Sequence, residues 1–236
     1  MAAEQKVAII TGASRGIGEA LVRGFRDHGF RVVANSRSIR PSSDPDILAV
    51  AGDITDPETA ERIVSQAIER FGRVDTLVNN AGIFIAKPFT GYTDEDYASV
   101  LGINLDGFFH VTQRAAREML KQRSGHIVQI TTSLDEHATS RVPSVLAALT
   151  KGGLNAATKS LAIEYASKGV RVNAVAPGAI KTPMHGPETY EFLARLHPVG
   201  RMGEVRDIVD AALYLEGATF VTGEILHVDG GQSAGY

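Results

Sequence analysis

Hydrophobic positions along the chain fall into two alternating patterns. Short continuous runs, rich in β-branched residues, occur at Val7–Ile10, Arg31–Ala34, Ile47–Val50, Asp75–Val78, His126–Ile130, Val170–Val175 and Ile225–Val228. Between them lie segments whose apolar positions recur at helical spacing. These are Gly16–Phe25 (Ile17, Ala20, Leu21, Phe25), Pro57–Phe71 (Ile63, Ala67, Ile68), Asp94–Lys121, Val145–Tyr165 and Val205–Leu215. The first pattern predicts strands buried on both faces and the second predicts helices. Such alternation predicts an α/β fold: a doubly wound, seven-stranded parallel sheet of Rossmann type, with right-handed crossovers placing helices on both faces. One segment departs from the pattern. Ser36–Asp46 contains Pro41, Pro45 and two adjacent serines, too short and too proline-rich for a packed helix. It predicts a loop that leaves part of one sheet face thinly covered.

Composition narrows the function classes. The chain has 236 residues, 44% hydrophobic and 22% charged, an ordinary globular balance, and no linker-like stretch divides it, so residues 1–236 read as a single domain. The net charge of −3 argues against a nucleic-acid-binding protein. Cysteine is absent, which removes disulfides, thiolate metal sites and cysteine nucleophiles. The longest apolar runs are too short to cross a membrane, and the start, Met1-Ala-Ala-Glu-Gln-Lys, lacks a signal-peptide core. A cytoplasmic protein with no membrane partner is expected. The histidines at 28, 110, 126, 197 and 227 form no paired ligand motif, so no catalytic metal is expected. The acidic clusters Asp94-Glu-Asp96 and Asp135-Glu136 read as helix-start and loop acids.

The strongest local signal is Thr11-Gly-Ala-Ser-Arg-Gly-Ile-Gly18, directly after the first strand and opening the first helix. Glycines at 12, 16 and 18 permit a tight turn and close backbone approach to a pyrophosphate, which would meet the helix amides and the positive end of its dipole. Gly12, Ser14, Arg15, Gly16, Ile17 and Gly18 are therefore candidate cofactor-binding residues. No G-x-x-x-x-G-K-[ST] occurs, so a P-loop hydrolase is not supported.

This turn resembles that of the short-chain dehydrogenase/reductase family, and the resemblance extends over essentially the whole chain. Asp53, followed by Ile54, sits where the family has its adenine-binding aspartate. Asn79-Asn80-Ala81-Gly82 matches its N-N-A-G segment, and Asn104 its mid-helix catalytic asparagine. Pro177-Gly178, with Ile180 and Thr182, matches the segment over the nicotinamide, and Val228-Asp-Gly-Gly231 the terminal strand. The end of the second strand selects the dinucleotide. An acidic residue there would accept ribose hydroxyls, whereas Ser36 and Arg37 stand in this chain, with Arg15 projecting from the glycine turn. Hydroxyl and guanidinium donors suit a 2′-phosphate, so NADP(H) is expected over NAD(H).

The resemblance also implies a reaction centre. In the family a tyrosine protonates the nascent alkoxide, its pKa lowered by a lysine one helical turn later, while a serine after the fifth strand holds the substrate oxygen. Lys151 matches the family lysine, and would also bind the nicotinamide ribose. Four residues earlier stands Ala147, and Tyr165 lies too far along the same helix to substitute. Thr132, with Ser133 next to it, occupies the serine position. The expected catalytic set is Asn104, Thr132, Ser133 and Lys151, with a water on Lys151, His137 or His185 as replacement acids. The leading expectation is an NADP(H)-dependent oxidoreductase interconverting a carbonyl and an alcohol of small-molecule size with a non-standard proton donor. The alternative is an NADP(H)-binding sensor or partner subunit of weak or no turnover. The family resemblance further implies a homo-oligomer, a tetramer built on the two long helices, and a substrate lid over Met184–Leu196.

Overall fold

The seven strands form one sheet, all parallel, in the order β3-β2-β1-β4-β5-β6-β7. They are β1 (Val7–Thr11), β2 (Arg31–Ser36), β3 (Ile47–Ala51), β4 (Thr76–Asn79), β5 (Gly125–Ile130), β6 (Val170–Pro177) and β7 (Ile225–Val228). The computed structural model describes residues 5–235. Residues 1–4, on which the reading of the amino terminus rests, and residue 236 lie outside them.

Successive strand residues point to opposite faces, and each face has its own core. On one, Ile9, Val33, Leu77 and Ile127 pack with helices α2 (Pro57–Phe71), α4 (Gly107–Gln122) and α5 (Val145–Tyr165) through Ile63, Val111 and Ala162. On the other, Ile10, Val32, Val78 and Val128 pack with α1 (Gly16–Asp27) and α7 (Val205–Gly217) through Leu21, Phe25, Ile208 and Leu215. Burial on both faces is why these strands read as unbroken apolar runs.

Between β2 and β3 the chain is a loop without a helix, as the prolines require. Arg26 pins it with ion pairs to Asp44 (2.9 Å) and Asp46 (3.2 Å). Ile47, Leu48 and Ala49 of β3 stay only partly buried, the thin cover the sequence implies. The helical stretch Asp94–Lys121 is not uniform. It consists of α3 (Asp94–Leu101), one π turn over Gly102–Asp106, and α4. The lid region holds only a short helix, α6 (Tyr190–Ala194), after a single 3₁₀ turn.

Candidate active-site cleft

The strand order reverses between β1 and β4, and a cavity of about 570 Å³ opens at the carboxyl ends of the strands. Parallel α/β sheets bind ligands at such a switch point. The turn after β1 supplies one wall through Gly12, Ser14, Arg15, Gly16, Ile17 and Gly18. Thr11 and Asn80 lock that turn to the end of β4. The Thr11 hydroxyl oxygen accepts from the N–H groups of Asn80 (3.1 Å) and Ala81 (3.0 Å). The Asn80 amide donates to the carbonyls of Thr11 (2.9 Å) and Gly12 (3.2 Å). Gly12 adopts φ +66°, and a Cβ there would lie 2.8 Å from the Ala81 backbone, so only glycine fits. Arg15 precedes α1 in an extended conformation and no side chain caps the helix. Side chains of Asp56 and Thr93 do cap α2 and α3. The first-turn amides of α1 therefore keep their donor capacity for a ligand.

Ser36 and Arg37 at the end of β2, with Asp53 and Ile54 after β3, line the adjoining region. Arg37 is exposed and its guanidinium lies 3.9 Å from the Asp53 carboxylate. The other Asp53 oxygen accepts from the Thr55 N–H and hydroxyl, both at 3.0 Å. The opposite wall carries Pro177, Gly178, Ile180 and Thr182, closing toward Met184, Leu193 and Leu196 of the lid region.

At the far end Thr132 and Lys151 face the same space, with Ala147 beside them. The Lys151 ammonium donates to the Ile130 carbonyl at 2.6 Å, and burial draws its pKa down to about 8. A Cβ at Gly82 would come within 2.9 Å of Lys151 Nζ and 3.2 Å of Asn104 Oδ1, so glycine is what admits both groups. The ionisable side chains lining the cavity are Arg15, Arg37, Asp53, Lys151 and His185, and among the described residues no tyrosine lines it. Burial lowers the pKa of His185.

Two expected catalytic residues sit differently from the sequence reading. Ser133 is fully buried, and its hydroxyl is engaged with the Pro177 carbonyl (3.3 Å) and the Gln232 amide oxygen (3.2 Å). Of the two adjacent residues Thr132 and Ser133, only Thr132 lines the cleft, and its hydroxyl oxygen accepts from the Leu134 N–H at 3.3 Å. Asn104 lies one layer behind the wall, in the π turn. Its Oδ1 accepts from the Ile83 N–H (2.9 Å), and its amide donates to the Ile83 carbonyl and the Thr150 hydroxyl, both at 3.1 Å. It braces the Gly82–Ile83 turn against the helix bearing Lys151. His137 is not among the lining residues, whereas His185 is.

Asn35 and His197 escaped the sequence reading. Asn35, a polar residue in the apolar run of β2, lines the cavity and donates to the carbonyls of Val50 (2.9 Å) and Gly52 (3.2 Å). His197 is buried behind the lid. Its Nε2 accepts from the Ala179 N–H and its Nδ1 donates to the Leu193 carbonyl, both at 2.9 Å. That arrangement fixes a neutral tautomer and ties α6 to the Gly178 segment. Among the described residues no group of histidines and carboxylates is arranged to hold a metal ion, and no helix is long and apolar enough to cross a membrane.

Comparison with known proteins places this geometry in context. Residues 12–233 match the family described as enoyl-(acyl carrier protein) reductase. The chain is 36% identical to a 3-oxoacyl-(acyl-carrier-protein) reductase of Vibrio cholerae, covering 97% of each protein. It is 35% identical to 3beta-hydroxysteroid dehydrogenase 1 of Eggerthella lenta, over 97% of this chain and 94% of that one. The solved structure of ElxO with NADP bound superposes with a TM-score of 0.92 at 30% identity, over 98% of this chain and 100% of the other. With the family match spanning residues 12–233 and these relatives covering nearly the whole chain, the chain belongs to the short-chain dehydrogenase/reductase family.

Proposed function

We propose that this protein is an NADP(H)-dependent oxidoreductase that interconverts a carbonyl and an alcohol, using a proton donor other than a tyrosine. The observation that carries the reading is the shared cavity. The uncapped turn of α1, the Ser36–Arg37 corner and the Thr132–Lys151 pair all line one space. The donor set fits a dinucleotide phosphate: backbone amides for the pyrophosphate, then Arg37, Arg15 and Ser36 for a 2′-phosphate. Asn35 adds a buried Oδ1 that has no hydrogen-bond donor among the described residues. The similar structure of ElxO was solved with NADP bound, and the similar proteins named above are a reductase and a dehydrogenase.

When bound, the nicotinamide supplies or accepts a hydride. The chain's own residues do the rest. Thr132 holds the substrate oxygen by a hydrogen bond, and Lys151, near Ile130 and Gly82, carries the positive charge that stabilises developing alkoxide. Pro177, Gly178, Ile180 and Thr182 orient the nicotinamide, while Leu193, Leu196 and Met184 exclude water. Ala147 leaves the site without a phenol, so protonation falls to a water held by Lys151 or to His185. That same alanine favours a second reading, an NADP(H)-binding sensor or partner subunit of low turnover. NADPH oxidation against a panel of ketones and quinones separates them. Turnover by the natural sequence, lost in Lys151→Ala, supports the enzyme. Turnover only after Ala147→Tyr supports the sensor. We further propose a tetramer through α4 and α5, whose Phe109, Leu149 and Ile163 are exposed, to be checked by light scattering.

A further inference from the structure

The loop leaving β5 carries Thr132, and α5 carries Lys151. One polar contact joins the two near the reaction end of the cleft: the Asn155 amide donates to Asp135 Oδ2 at 2.8 Å. The remaining oxygens of this pair, Asp135 Oδ1 and Asn155 Oδ1, are both buried, and among the described residues neither meets a hydrogen-bond donor from another residue. An ionised carboxylate facing a carboxamide always leaves one acceptor unanswered. Turning the amide over does not help, because it offers one NH₂ group and one oxygen to two acceptor oxygens. A single proton on Asp135 Oδ1, donated to Asn155 Oδ1, would answer both vacancies.

We propose that Asp135 is a positioning residue that works in its protonated form, closing a two-hydrogen-bond ring with Asn155 that seats the Thr132 loop on the Lys151 helix. The backbone of α5 is cut back for this contact: Gly152, next to Lys151, is where a Cβ would meet Asp135 Cβ and Oδ2 at 3.4 Å. The charges around the pair agree. Burial pushes the Asp135 carboxyl above the usual aspartate range and the neighbouring Glu136 adds to this, against the opposing pull of the Asn155 amide, its own N–H and the His227 ring on β7. Glu136 is itself 3.1 Å from His227 Nε2. A carboxyl whose folded pKa is raised contributes stability at low pH and loses it as pH rises above about 4, through the folded value. The positioning role rests on the cleft being the reaction site, whereas the proton itself can be tested without cofactor or substrate.

The test compares the natural sequence with Asp135→Asn, whose amide reproduces both hydrogen bonds at every pH. Thermal unfolding of each is followed from about pH 4.5 to about pH 8. The melting temperature of the natural protein is expected to fall relative to Asp135→Asn as pH rises, all other carboxylates cancelling in the difference. Aspartate-labelled natural protein should also keep an infrared band of a protonated carboxyl at a pH where ordinary aspartates are ionised. That second measurement stands even if the variant fails to fold. In turnover assays Asp135→Ala should lower kcat, with Asp135→Asn restoring it and removing the accompanying pH dependence. Parallel stability profiles for the natural protein and Asp135→Asn, or no protonated band above the ordinary aspartate range, overturn the proposal.

Discussion

Replacing Lys151 by methionine separates what the fold gains from this residue and what the site requires of it. The side chain stays unbranched, ends one heavy atom shorter and loses its charge. Burial lowers the lysine pKa from 10.5 to about 8, and at about 1.4 kcal/mol per pH unit the charged form is disfavoured by about 3 kcal/mol. Partial exposure of the residue reduces this to about 2 kcal/mol. The variant also forfeits the hydrogen bond to the Ile130 carbonyl, at a cost of about 1 kcal/mol. Near neutral pH, Lys151→Met is therefore expected to be more stable by about 1 kcal/mol, or about 2–4 °C in Tm for a chain this long. The pH dependence is the stronger test. A depressed lysine pKa contributes stability that is present above 10.5 and lost as pH falls through about 8, so the natural protein gains on the variant between those values. Urea unfolding in steps across that range should show the two stabilities converging and then crossing. Curves that stay parallel would refute the burial argument for this lysine. Turnover should be lost in the variant at every pH, so stability gained and activity lost would come from one substitution.

The remaining predictions address the other parts of the cleft. Ala147→Tyr places a phenol one helical turn before Lys151 and should raise ketone reduction by about 10²-fold or more; unchanged NADPH oxidation rates would count against Lys151 being poised for that chemistry. Arg37→Ala removes a charge-assisted contact and should weaken NADPH about tenfold while leaving NADH nearly unchanged, as read by fluorescence titration; equal losses for both would argue against a phosphate contact. His197→Ala leaves the Ala179 N–H and the Leu193 carbonyl without their shared partner, an expected local cost of about 2 kcal/mol. Limited proteolysis within residues 184–196 should accelerate and substrate KM rise, with NADPH affinity retained.

Much of this architecture is legible in the chain because each strand is buried on both faces and each helix on one. Val7–Ile10 and Val170–Val175 read as strands without any tertiary information, and the prolines at 41 and 45 exclude a helix between β2 and β3. The glycine turn is legible for a different reason: backbone geometry there tolerates almost no other residue. What escaped depends on contacts that leave no periodic trace. Thr132 and Ser133 are adjacent hydroxyls, of which only Thr132 lines the cleft. His197 reaches Ala179, and Asn155 reaches Asp135, across 18 and 20 residues, and no local pattern encodes such pairings. The π turn at Gly102–Asp106 is invisible because one surplus residue scarcely changes the spacing of apolar positions in a long helix.

The wide turn absorbs that surplus residue locally, so α3 and α4 keep the phase of an α-helix one residue shorter. Val100 before it and Val111 and Ala115 after it are all buried. Deleting one residue between Gly102 and Asp106 would therefore let the wide turn relax to α-helix and leave the buried stripes on both sides in place. It would also remove the bulge that carries Asn104 to Ile83 and Thr150, so the bracing of the lysine helix would be lost while the hydrophobic register survives.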